Sequence, residues 1–157
     1  MVQEVFASIL ADLGKILNMK LAPDRNGSCM IQYTTGLKLV MESNALAERL
    51  MVIADLGTPA PGRYRENLFR EALKANGLPP PRQGIFCYSA KKDSLILFES
   101  LPLGDLTGQK VADLLTPFLA KANLWRTAIT KNEVPSFTGN ELSFGATGTG
   151  SGMLGLR

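Results

Sequence analysis

Three stretches of this chain, 50–55, 84–90 and 94–100, are strand-like and apolar on both alternating sides. Leu50 and Val52 alternate with Met51 and Ile53, Ile85 and Cys87 with Phe86 and Tyr88, and Leu95 and Leu97 with Ile96 and Phe98. Successive side chains of a strand point to opposite faces, so both sides of any sheet built from these runs must be kept from water. The rest of the chain offers three helical segments as cover. Two arrangements satisfy the pattern: helices on both faces of one subunit, or helices on one face and another polypeptide on part of the other.

The helices come from spacing. Phe6, Ile9, Leu10, Leu13, Ile16 and Leu17 fall on one stripe of a helix over 2–18, widened by Val2 and Val5. Turn formers at 23–27 end it. Strands over 28–33 and 37–42 flank Thr34-Thr-Gly36, a hairpin connection. After the third strand, Gly57-Thr-Pro-Ala-Pro-Gly62 breaks regular structure. A helix over 63–76 then carries Tyr64, Leu68, Phe69, Ala72 and Leu73 on its apolar side, with Gly77 placed for a left-handed cap. Lys91-Lys-Asp93 turns between the last two strands. The final helix, about 107–128, presents Val111, Leu114, Leu115, Phe118, Leu119, Ala122 and Trp125; Pro117 is expected to kink it or split it, with Thr116 capping the second half. The order α-β-β-β-α-β-β-α, rich in hairpins, predicts an α+β fold with a mostly antiparallel twisted sheet and three helices. One domain over 1–130 is expected, followed by a flexible glycine-rich tail over 131–157.

Chemistry is hard to find. Histidine is absent, which removes the commonest general base and metal ligand. The carboxylates are scattered, so no enzyme, cofactor or metal is expected. Gly150-Ser-Gly152-Met-Leu-Gly155 spells a dinucleotide motif without the strand and helix that motif needs. Ser89-Ala-Lys-Lys92 spells a nucleophile–lysine spacing across a strand end and a turn, and Asn26-Gly-Ser28 reads as a turn. Cys29 and Cys87 are expected as two buried free thiols. The amino-terminal residues lack a basic secretory pattern, and no run approaches about 18 apolar residues, so a cytoplasmic protein without membrane insertion is expected.

Several stretches together resemble the class I type III secretion chaperones (Tir-chaperone-like). Leu10-Ala-Asp-Leu-Gly-Lys-Ile-Leu17 is similar to that family's first helix, and Asn26-Gly-Ser-Cys-Met-Ile31 to the turn into its first strand. The 50–56 strand with its proline-rich exit and the leucine- and alanine-rich 68–77 segment match in order. Asp93-Ser-Leu-Ile-Leu-Phe-Glu-Ser-Leu-Pro-Leu103 carries the closest likeness, followed by a long helix that ends in Leu124-Trp-Arg126. The resemblance spans about 4–128. It implies a bacterial virulence-associated homodimer that binds the N-terminal chaperone-binding segment of type III secreted effectors, keeping them soluble and secretion-competent. The secretion ATPase is a further candidate partner. Carried onto this chain, Tyr64, Leu68, Phe69 and Ala72 are dimer-interface candidates. Val5, Phe6, Ile9, Met30, Leu39 and Met41 are candidates for the effector groove, some of them shared with the core.

Two features depart from the family pattern: Pro117, and a net charge of +3 with pI ≈ 9.0 where the family is typically acidic. The second reading this charge leaves is a basic regulatory or nucleic-acid-binding module linked to secretion, acting through Arg63, Arg65, Arg70 and Lys74 on one helix. Under the first reading no nucleic acid is expected, and those charges form a solvated helix face.

Overall fold

The computed structural model describes residues 1–138 and 141–144. Helix α1 (Val2–Leu17) is followed by strands β1 (Ser28–Gln32), β2 (Lys38–Asn44) and β3 (Arg49–Gly57), helix α2 (Arg63–Asn76), strands β4 (Ile85–Ser89) and β5 (Ser94–Pro102), and helix α3 (Gly108–Lys131). The predicted order and class are observed. Two short strands, β6 (Pro135–Thr138) and β7 (Glu141–Phe144), pair antiparallel in a separate small sheet. They occupy part of the segment expected as a tail. The glycine-rich remainder, 145–157, and with it the 150–155 motif, lies outside the described residues.

The main sheet has the order β1-β2-β3-β5-β4, antiparallel throughout. Its register creates two contrasting rows. Ile31, Leu39, Ala54, Leu97 and Phe86 face one another across five strands and are all buried. On this side lie α1 and α3, which pack against each other and close over Phe6, Leu10, Leu13, Phe118 and Trp125. Their contact is close because Gly108, at the start of α3, has no side chain. A Cβ there would stand 2.7 Å from the Leu13 nitrogen and 2.8 Å from the Asp12 Cβ.

Pro117 neither splits α3 nor starts a second segment at Thr116; one helix runs through both. A proline at 117 frees the carbonyl of residue 113 and crowds it. Asp113, Thr116 and Pro117 all lie on the exposed side, where water satisfies the freed group. The helix is instead capped at Thr107, whose side chain accepts from the Lys110 N–H at 3.2 Å. Gly77 also differs from expectation, with φ −82° rather than a left-handed conformation. The left-handed caps are Asn18 after α1 and Asn132 after α3. At Gly77 the N–H bonds to the Leu73 and Lys74 carbonyls, which tightens the last turn without a change of hand.

Helix α2 sits along the β4 edge. The Asn76 amide donates to the Phe86 carbonyl at 2.9 Å and accepts the Phe86 N–H at 2.8 Å, replacing a missing strand at that point. At the other end of α2, the Tyr64 hydroxyl donates to the Glu133 carbonyl at 2.9 Å, with the Ala128 carbonyl 3.2 Å away. Burial, with Glu133 nearby, pushes the Tyr64 phenol up to about 12, so this link persists across neutral and moderately alkaline pH.

Candidate protein-binding surface

The second row of the register runs Met30, Val40, Ile53, Phe98, Ile85, one residue from each strand of the main sheet. It lies on the side of the sheet opposite α1 and α3. Met30 is 63% exposed, Ile85 is 37% exposed, and Val40, Ile53 and Phe98 are partly exposed. Met51 lies beside the row, between Glu42 and Ser100. A continuous apolar stripe across five strands without a helix over it marks a surface for another polypeptide. Of the two arrangements open from sequence, helices on both faces are not what the structure has: α1 and α3 cover one face of the sheet, and this row on the other is left partly exposed.

The stripe ends at a strand edge that can accept a further strand. The Tyr33 N–H donates to the Leu37 carbonyl, which fixes the alternation in the β1–β2 hairpin. Ser28, Met30 and Gln32 therefore turn their backbone groups outward. Those of Ser28 are taken by Asp24, whose carboxylate accepts the Ser28 N–H at 2.9 Å and whose N–H donates to the Ser28 carbonyl at 2.7 Å. Met30 and Gln32 continue that edge. Their alternating side chains place Met30 on the apolar stripe.

The residues singled out from sequence divide by depth. Phe6, Ile9, Leu39 and Met41 are buried between the sheet and the helices, whereas Met30 is on the stripe and Val5, 44% exposed, lies on the outer flank of α1. Val5 is shared by two shallow clefts, one with Ser8 and Leu106, the other with Val2 and Leu103. In α2, Leu68 and Ala72 are buried, and Tyr64 and Phe69 are partly exposed. Phe69 meets Tyr88 with ring centroids 5.6 Å apart, and Leu73 beside them is 70% exposed. Val40, Ile53 and Phe98 were not singled out beforehand. Their signal was present in the two-sided apolar pattern, but sequence does not say which side of each strand the helices take.

The basic residues of α2 do not form one patch. Arg65 is tied to Asp93 at 2.9 Å and to the Pro59 carbonyl at 3.1 Å, and Lys74 pairs with Glu71 at 2.7 Å. Asp93 accepts from the Tyr88 hydroxyl at 2.6 Å, and this bond and the Arg65 guanidinium hold its carboxyl below the usual range. The set binds the β4–β5 turn to the start of α2. The cysteine expectation is half corrected: Cys29 is buried, but Cys87 is exposed, because β4 is an edge strand and Cys87 points to the uncovered face. Both are free thiols. Among the described residues no helix is long and apolar enough to cross a membrane, and no cluster of metal-ligating side chains occurs.

An α+β subunit with one helix-covered sheet face, one apolar open face and an available strand edge has the anatomy of a polypeptide-binding protein. Residues 8–126 match the Tir chaperone protein (CesT) family, and the chain belongs to that family of type III secretion chaperones. A comparison with curated proteins finds no match. Among solved structures, the chain is similar to the HopA1–SchA chaperone–effector complex at TM-score 0.67 and 20% identity, covering 80% of this chain and 96% of that one. It is also similar to the Yersinia pestis type III secretion chaperone SycH bound to a fragment of YscM2, at TM-score 0.59 and 16% identity (76% and 98% covered). The heterodimeric ExoU–SpcU complex of Pseudomonas aeruginosa gives TM-score 0.57 and 16% identity (79% and 96% covered). These likenesses concern the fold; family membership carries the function of an effector-binding type III secretion chaperone and does not favour a nucleic-acid-binding module.

Proposed function

We propose that the chain binds an extended N-terminal segment of a secreted effector along the open sheet face and the β1 edge, and holds it soluble without turnover chemistry. The apolar stripe from Met30 to Ile85 carries this reading. Backbone groups of Met30 and Gln32 give affinity that is indifferent to effector sequence, and the apolar side chains of Val40, Ile53 and Phe98 give selection. Val5 and the clefts beside α1 extend the same path. Of the sequence-stated groove candidates, Phe6, Ile9, Leu39 and Met41 support this surface from beneath.

The active unit is a homodimer joined through α2, with Phe69 and Tyr64 at the contact and Leu68 and Ala72 behind them. The exposed Leu73 and the Phe69–Tyr88 pair support this. The cytoplasm is its working compartment, and delivery to a secretion ATPase is its next encounter. The glycine-rich 145–157 segment is an appendage of the chaperone domain. The test is co-purification of the chain with secreted proteins from its own host, followed by the same capture with Ile53→Asp and Phe98→Asp. Loss of the secreted proteins with retention of the fold is expected. Undiminished capture by both variants would remove the stripe from the binding surface.

A further inference from the structure

The outer flank of α1 carries two shallow clefts that meet at Val5. One, about 380 Å³, has Val5, Ile9 and Leu106 as its apolar part and the exposed Glu4 and Asp12 at its rim. The other, about 250 Å³, has Val2 and Leu103, with the exposed Glu48 at its rim. Carboxylates are the only charged side chains that line either cleft, in a chain whose net charge is +3. Among the described residues Glu4 and Glu48 form no ion pair, and Asp12 meets only the exposed Lys15, at 3.4 Å. Basic side chains close by in sequence are engaged elsewhere: Arg49 donates to the Ser100 carbonyl at 2.8 Å, and Lys110 to the Asp105 carbonyl at 2.7 Å. Past Asp12 the sign changes, and Lys15 and Lys20 line the cleft at the end of α1.

The spacing of the two clefts suits an extended chain. Val2 to Val5 borders one and Val5 to Asp12 the other, so along the helix axis their middles stand about 7–8 Å apart. An extended peptide turns the same way every second residue, about 7 Å further on. Two apolar side chains two positions apart therefore reach both clefts at once. The next positions that face the same way bring longer side chains to the rims, which carry Glu48 at one cleft and Glu4 and Asp12 at the other. Lysine or arginine there can lay an apolar stem along the cleft and set its charge against a carboxylate. An acidic side chain in the same place meets like charge.

We propose that Glu4, Asp12 and Glu48 select what lies along this flank: an extended effector segment with two apolar residues two positions apart and lysine or arginine on either side of them. This selection rests on the effector-binding reading and adds to it the chemistry of one stretch of the bound segment. Two fluorescein-labelled peptides test it on the full-length chain by anisotropy. Both carry two valines separated by one threonine; one has lysine, the other glutamate, two positions outside each valine. At low salt the lysine peptide should bind about tenfold more tightly than the glutamate peptide. The net charge of +3 by itself favours the glutamate peptide, so nonspecific attraction works against the expected order. The preference should shrink in about 0.5 M salt. Glu4→Gln, Asp12→Asn and Glu48→Gln together keep the shape of the clefts and should bring the two affinities within about twofold, with the Trp125 fluorescence of the folded chain retained. Ile53→Asp, on the open sheet face, should leave the preference as it is. Equal binding of the two peptides, a preference for glutamate, a preference that survives the triple variant or high salt, or no binding of either peptide would each overturn the selection. None of these results bears on whether Ile53→Asp and Phe98→Asp lose the secreted proteins, so the effector-binding reading stands or falls on that separate capture.

Discussion

Asn76 is the point where α2 is fastened to the sheet, and its removal gives a measurable quantity. Its side chain makes two hydrogen bonds to the backbone of Phe86, at 2.9 and 2.8 Å, on an edge that no strand covers. A typical intramolecular hydrogen bond contributes about 1 kcal/mol net. Asn76→Ala should therefore cost about 2 kcal/mol. With a urea slope of about 2 kcal/mol per M, the midpoint should fall by about 1 M. The chain has a single tryptophan, Trp125, with its ring 4.3 Å from that of Phe86. Its fluorescence reports directly on the element that Asn76 holds. Asn76→Asp gives a second reading of the same contact. One carboxylate oxygen can accept the Phe86 N–H, but the other would face the Phe86 carbonyl and raise the carboxyl pKa in the folded state. The folded protein then holds its proton more tightly than the unfolded chain, so this variant should lose stability as pH rises and recover part of it under mild acid. An Asn76→Ala stability within about 0.5 kcal/mol of the parent, a midpoint shift under about 0.25 M, would refute the reasoning, because solvent would then be replacing both bonds without loss.

Gly108→Ala should destabilise by at least about 1–3 kcal/mol, since the added Cβ meets α1 backbone rather than a movable side-chain end; thermal unfolding reads this, and an unchanged Tm would count against the close α1–α3 contact. Lys121 is buried, donates to the Gly84 carbonyl at 3.3 Å and stands 4.8 Å over the Phe86 ring, and burial lowers its pKa to about 8, from an ordinary 10.5. Between those values the folded state releases the proton first, so Lys121 makes stability climb with pH from 8 toward 10.5. Lys121→Met should abolish that component, seen by comparing urea midpoints of the two proteins at pH 7 and pH 9.5. Pro117→Ala should leave the fold intact and stabilise modestly, by up to about 3 kcal/mol if the helix interior scale applies in full; a loss of stability would show that the proline serves α3. Asp93→Asn should loosen the β4–β5 turn from α2 by weakening the Arg65 pair, with faster amide exchange in residues 88–95 as the readout.

Much of this architecture is legible in the residues. The stripe Phe6, Leu10, Leu13 defines α1, the glycine and proline breaks at 57–62 and 77–81 delimit α2, and the Lys91-Lys-Asp93 turn fixes the β4–β5 hairpin. The two-sided apolar character of the strands was also readable, and with it the need to keep both faces from water, by helices or by another polypeptide. What could not be read is parity. Leu39 and Met41 point inward and Val40 outward, though all three are apolar, because alternation defines two faces and names neither. Phe6 and Val5 divide the same way at the margin of one helix stripe. That choice falls to the tertiary structure, where α1 and α3 meet over Gly108 and take one side together. Once they do, the neighbouring row of each strand is left to the solvent side by geometry alone. Pro117 is tolerated inside α3 for the same reason, since the packing of α3 turns residue 113 toward water. The sequence by itself determined the order of the three helices and five main strands, though not the short β6–β7 pair, and that something must cover the sheet. Only the packing of the helices decided which five residues are left for a partner to cover.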